Sequence, residues 1–171
     1  MGRPLSPEEA GARLRARFGE DVTIAEAFGQ VAATATPERY HDVVRFLRDE
    51  PEFGCDYCDF TGGVDLGPEE GFEVVTQLYS TEHHHEVRVK VRLGVEDPVA
   101  PTISDLYPGC NWHEREAMEL FGIRFEGHPQ PVKLLLSEQF EGHPLRKDFA
   151  LLSREVKPWP GAVEGEEDED E

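Results

Sequence analysis

The sequence predicts an α+β fold, with helices packed on a mostly antiparallel sheet and followed by an extended C-terminal segment. Three observations predict it. Residues 72–80 (FEVVTQLYS) and 85–95 (HEVRVKVRLGV) read as a strand pair in which Val87, Val89, Val91 and Leu93 point one way and Arg88, Lys90 and Arg92 the other. That alternation belongs to an antiparallel sheet with one buried and one wet face. Helix-start signals stand at Ser6-Pro7-Glu8-Glu9 and Thr36-Pro37-Glu38. From 123 onward the chain is rich in Gly and Pro, which favours extended backbone and turns. The order helix, strand, helix, strand, hairpin, helix places the helices on one side of the sheet.

Taken in order, Ser6 caps a first helix, Pro7 suits its first turn, and Glu8 and Glu9 complement its dipole. The helix runs to Phe18, with Gly19 as its stop. Residues 22–35 are apolar, β-branched or small, with only Glu26 charged, and suit one or two strands. Tyr40, Val43, Val44 and Leu47 make an apolar stripe at helical spacing. After Pro51, FGCDYCDFTGGVDLG reads as a strand and turn. The loop TEHHH joins the strand pair, and its histidines are expected to be solvated. Residues 102–122 read as helical, with Gly122 as C-terminal cap. The expected organisation is an α+β domain over 1–122, an extended partner-binding segment over 123–160 and a disordered acidic tail over 161–171.

Composition narrows function. The 171 residues suit one domain with tails. The net charge is −19, and seven of the 36 acids lie in residues 164–171; the rest of the chain holds 29 acids against 17 bases, a net of −12. So acidic a chain is not expected to grip nucleic-acid phosphates. Neither an apolar run of membrane-spanning length nor a secretory leader is apparent. Three cysteines favour a reducing compartment. There is no dinucleotide fingerprint, P-loop or nucleophile elbow. Met1-Gly2 followed by Ser6 fits a myristoylation pattern, but Ser6 is equally a helix cap, and the match is read as chance.

Four stretches carry more. On a helical wheel of 111–122, Arg115, Glu116 and Glu119 share a face, and Arg115 and Glu119 are spaced to pair. Ala117, Met118, Leu120 and Phe121 span most of the other side. Glu114 falls among them, where a carboxylate needs a partner. It either complements the helix start, or the helix is covered on both faces, one of them by another protein. Second, Phe125-Glu126-Gly127-His128-Pro129 recurs as Phe140-Glu141-Gly142-His143-Pro144, two matched turns with His128 and His143 held extended before Pro. Third, Arg146 and Lys147 place two cations together in an acidic protein, either a solvated basic patch or a surface suited to an acidic neighbour. Fourth, Cys55, Cys58, Cys110 and His113 have the paired two-residue gaps of a zinc site, the basis of an alternative reading as a small zinc-binding module. A free-standing enzyme would need His113 or His128 as base with Glu116 as its partner, and no nucleophile or cofactor motif accompanies them.

The stretch NWHEREAMELFGIRFEGHP, then LLL, then FEGHPLRKDF resembles the 30 kDa subunit family of the proton-pumping NADH-quinone oxidoreductase, respiratory complex I. The matching positions are Glu114-Arg115-Glu116, Glu119, Leu120-Phe121, Gly122, His128-Pro129 and Gly142 to Phe149; Thr61-Gly62-Gly63-Val64-Asp65 resembles a further family segment with one extra Gly. The resemblance covers about 50–150. It implies a non-catalytic hydrophilic subunit of the peripheral arm, peripheral to the cell membrane on its cytoplasmic side. Such a subunit braces those that form the quinone pocket and carry the terminal iron–sulfur cluster. It implies no cofactor in this chain, the FMN, iron–sulfur clusters, NADH and quinone belonging to other subunits. Equivalent subunits occur in related hydrogenase and F420H2 dehydrogenase complexes. Under this reading Glu114, Arg115, Glu116, Glu119, His128, His143, Arg146 and Lys147 are the partner-binding candidates.

Overall fold

A computed structural model describes residues 3–150. The acidic tail at 161–171 and the end of the expected extended segment, 151–160, lie outside the described residues, as do Met1 and Gly2. Helix α1 (Pro7–Phe18) opens with a capping box: Glu9 N–H donates to Ser6 Oγ at 3.2 Å, and Ser6 N–H donates to the Glu9 carboxylate at 3.0 Å. The apolar run 22–35 resolves into two strands, β1 (Val22–Ala27) and β2 (Gln30–Ala35). They are joined by the two-residue turn Phe28-Gly29, both residues at positive φ. Helix α2 (Pro37–Asp49) buries the predicted stripe of Tyr40, Val43, Val44 and Leu47. Strands β3 (Tyr57–Gly67), β4 (Gly71–Tyr79) and β5 (Glu86–Leu93) complete a five-stranded sheet in the order β1-β2-β5-β4-β3. Only the β2–β5 pairing is parallel.

The core lies on one face of this sheet. Val31 and Ala33 of β2, Val74 and Leu78 of β4, and Val87, Val89 and Val91 of β5 are buried there with the α2 stripe and Leu14 of α1. The opposite face keeps the predicted polar set, where Lys90 reaches Glu73 at 3.0 Å and Arg88 reaches Gln77 at 2.8 Å. Helix α3 (Cys110–Phe121) packs on the core side of β3. Gly63 permits that approach: a Cβ there would stand 2.7 Å from Phe121 and 2.9 Å from Ile123. Among the described residues no helix is long and apolar enough to cross a membrane.

Three expectations need correction. The helix expected over 102–122 begins only at Cys110. Residues 102–109 form turns, because Pro108 disfavours helix before it and the Thr102 and Ile103 polar groups bond Glu114 instead of a helical ladder. Short strands β6 (Val99–Pro101) and β7 (Arg124–Glu126) flank α3 and pair in parallel, too brief to register as a periodic pattern. The loop histidines are not simply solvated. His85 is buried and accepts Leu5 N–H at Nδ1, and His83 Nε2–H donates to the Pro51 carbonyl at 2.8 Å, so these rings tie the N-terminal segment and the end of α2 to the hairpin.

Candidate functional site

The candidate site is built around α3. In its first half, Glu114 is fully buried. It accepts Ile103 N–H at 2.7 Å and the Thr102 hydroxyl, folding the 102–104 turn onto the helix. Burial pushes its carboxyl up to about 7, while the bonds from Ile103 and Thr102 favour the charge and oppose a further rise. His128 stands beside it, Nε2 lying 3.7 Å from the Glu114 carboxylate. His128 Nε2–H donates to the Asn111 carbonyl at 3.2 Å and Nδ1 accepts Gln130 N–H at 3.0 Å, which fixes the tautomer.

Farther along α3, the structure corrects the wheel. Arg115 and Glu119 do not pair with each other, and Glu119 is buried rather than on an open face. Both hold the loop at 132–136. Arg115 donates to the carbonyls of Val132 at 2.9 Å and Lys133 at 3.0 Å. Glu119 accepts the amides of Leu134 at 2.9 Å, Leu135 at 2.8 Å and Leu136. A loop without secondary structure must satisfy its backbone groups somewhere, and these two side chains supply donor and acceptor alternately. Burial works against the Glu119 charge, but the three amides outweigh it and hold the carboxyl below its ordinary range.

The last turn of α3 is closed by residues 143–146. A helix ends with four carbonyls lacking intrahelical partners. Here Gly122 N–H takes Met118 at 2.9 Å, His143 Nδ1–H takes Glu119 at 2.8 Å, Leu145 N–H takes Leu120 at 3.1 Å and Arg146 Nε–H takes Phe121. Gly122 is left-handed at φ 74°, and a Cβ there would meet His143 and Arg146 within 2.6 Å. The Arg146 guanidinium also lies over the Phe72 ring, 4.9 Å from its centroid. Lys147 N–H donates to Asp65 at 2.7 Å, while its side chain stays exposed.

Of the eight residues singled out from sequence, Glu114, Arg115, Glu119, His128, His143 and Arg146 thus engage groups of this same chain. Glu116 and the Lys147 ammonium face outward. The wheel also held an unread signal, because Trp112 lies one turn before Glu116 on the outer stripe. It is 62% exposed, and Val132, Leu135 and Leu145 are likewise exposed in the segments that strap α3.

The alternative constellations do not assemble. Cys58 and Cys110 meet, sulfur to sulfur at 3.2 Å. Cys55 instead directs its thiol to the Phe53 carbonyl, and His113 Nδ1 accepts Thr61 N–H at 3.2 Å. Among the described residues no three His, Cys, Asp or Glu side chains are grouped to hold a metal ion. Neither His113 nor His128 has Glu116 as a hydrogen-bond partner.

Together these features define a class of protein: an α+β domain whose segments after its last helix are strapped along that helix, with several large apolar side chains exposed among the described residues. Residues 33–155 match the family described as respiratory-chain NADH dehydrogenase, 30 kDa subunit. The C subunit of NADH-quinone oxidoreductase from Roseiflexus castenholzii is 43% identical over 147 residues, 85% of this chain and 84% of that protein. The C/D subunit of NADH-quinone oxidoreductase from Chromohalobacter salexigens is 37% identical over 168 residues, 92% of this chain but 28% of that longer protein. The solved trypsin-resistant fragment of Nqo5 superposes with a TM-score of 0.61 at 28% identity, covering 72% of this chain and 97% of the fragment. The chain belongs to the 30 kDa subunit family of respiratory-chain NADH dehydrogenase.

Proposed function

We propose that this chain is a non-catalytic hydrophilic subunit of the peripheral arm of a proton-translocating NADH-quinone oxidoreductase. It braces the subunits that form the quinone pocket and carry the terminal iron–sulfur cluster, on the cytoplasmic side of the membrane. FMN, the iron–sulfur clusters, NADH and quinone belong to its neighbours. The observation that carries this reading is the family membership, at 43% identity to a C subunit of NADH-quinone oxidoreductase over most of both chains. The Chromohalobacter relative supports a specific neighbour, since its name joins C with D in one polypeptide of which this chain matches 28%.

The geometry supports a bracing role. The polar side chains along α3 hold loops of the same chain, which makes the helix and its straps one stiff unit. The exposed side chains of Trp112, Glu116, Val132, Leu135, Leu145 and Lys147 are then the contact candidates. Apolar side chains exposed around an aromatic anchor suit burial against another protein. Deleting the chain from its native cell should abolish membrane NADH:quinone activity, and a tag on it should recover the quinone-pocket and terminal-cluster subunits. The purified chain alone should turn over neither NADH nor quinone. Wild-type membrane activity without it, or turnover by the isolated chain, would overturn the proposal.

A further inference from the structure

A thiol pair joins β3 to the first residue of α3. Strict alternation along β3 would put Cys58 on the same face as Phe60. The register shift between them leaves Asp59 unpaired, so Phe60 lies opposite Gln77 of the polar face while Cys58 lies opposite Leu78 of the core. The bulge thereby turns Cys58 inward onto Cys110, the two sulfurs standing 3.2 Å apart, only about 1 Å farther than in a disulfide bond. Cys58 is half-buried and reachable from solvent, whereas Cys110 is buried. Cys110 S–H donates to Cys58, and the Thr61 hydroxyl lies within 3.7 Å of both sulfurs. The hydrogen bonds from Cys110 and Thr61 lower the Cys58 thiol against the opposing effects of burial and of the Asp59 and Glu114 charges. The hydrogen bond between the two sulfurs, with burial, raises Cys110. The positive end of α3 at Cys110 further favours a thiolate at Cys58. Cys55 is fully buried, its thiol pushed up to about 12.

We propose that Cys58 and Cys110 are a reversible, peroxide-sensitive thiol pair that closes into an intrachain disulfide between β3 and the start of α3. The Cys58 thiolate attacks one oxygen of hydrogen peroxide; the S–O bond forms, the O–O bond breaks, and the leaving hydroxide takes a proton to become water. Cys110 sulfur then attacks the Cys58 sulfenic acid, the S–S bond forms, and the departing hydroxide takes the Cys110 proton as a second water. Two thiols are oxidised by two electrons and one peroxide is reduced to two waters. A dithiol reverses the bond by exchange. This inference does not depend on the proposed assembly role.

The test uses the reduced full-length chain treated with hydrogen peroxide, then unfolded without reductant and examined by thiol titration and peptide mass mapping. One titratable thiol of three should remain, on Cys55, with a Cys58–Cys110 linked peptide that dithiothreitol releases. The oxidised chain should melt about 10 °C higher, because the bond closes a long loop. Cys110→Ser should instead accumulate a Cys58 sulfenic acid that dimedone traps. The wild-type result decides the proposal even if that variant misfolds. Three titratable thiols after peroxide, or a linkage through Cys55 or to a second copy, would overturn it.

Discussion

The two Phe-Glu-Gly-His-Pro copies share a left-handed glycine and serve opposite ends of one helix, and only the first closes its turn with a backbone bond, from His128 N–H to the Phe125 carbonyl. Each Gly is left-handed, Gly127 at φ 82° and Gly142 at φ 87°, and each His ring donates to a backbone carbonyl of α3. The first copy delivers His128 to Asn111 beside buried Glu114, with Phe125 buried in β7. The second delivers His143 to Glu119 at the helix end, with Phe140 stacked on Phe149. What differs is the carboxylate nearby. Glu114 has burial as its dominant influence, whereas Glu119 is stabilised as an anion by three amides. The repeated motif thus shares its glycine conformation and brings a His to α3 each time, and the surroundings decide the electrostatics.

The largest expected effect follows from removing the more deeply buried carboxylate. Glu114→Ala strands the Ile103 amide, removes the acceptor of the Thr102 hydroxyl and leaves a void, and should cost about 3 kcal/mol in denaturant unfolding. Glu119→Ala should cost about 2 kcal/mol and free the 132–136 loop, read as rapid tryptic cleavage at Lys133 in the variant but not in the parent.

The two ends should also respond oppositely to pH. The folded Glu114 carboxyl is raised from an ordinary 4.5 to about 7, so between those values the native chain binds a proton that the unfolded chain has lost. Its contribution is fully present below about pH 4.5 and is lost as pH rises through 7, by at most about 3 kcal/mol. Glu119 is lowered, so its contribution is present above the ordinary carboxylate range and lost as pH falls through its folded value. Stability curves of Glu114→Gln and Glu119→Gln against pH should therefore differ from the parent at opposite ends. Matching curves would break the contrast between the two copies. The smallest effect belongs to His143→Ala, which removes one of the four carbonyl partners and should cost about 1 kcal/mol in thermal unfolding.

Much of this was legible in the residues. The Ser6 cap, the α2 stripe and the β4–β5 alternation follow from local periodicity and capping chemistry, and the structure keeps them, adding the return bond from Ser6 N–H to Glu9. Glu114 was recognised as a carboxylate out of place, because a wheel shows which side chains share a face. Its partners could not be read, since the turn at 102–104 is fixed by the contact itself. Arg115 and Glu119 are spaced to pair on a wheel, and they bond the returning loop instead. A wheel contains no information about a loop that returns from residues 132–136 to cover it. The Asp59 bulge was likewise invisible to strict alternation, and with it the meeting of Cys58 and Cys110. The match of family-specific spacing over 111–149 supplied the functional reading where local physics did not.

Under the proposed function, α3 is held by its own chain and offers the exposed Trp112 to a neighbour. Trp112→Asp, expressed as the sole copy in the native cell, tests it most directly when recovery of the intact membrane complex is compared with the melting temperature of the purified chain. The variant should keep a melting temperature within about 2 °C of the parent, as suits an exposed position, and should lose the assembled complex. Assembly at parental yield, or a large fall in melting temperature, would contradict that proposal.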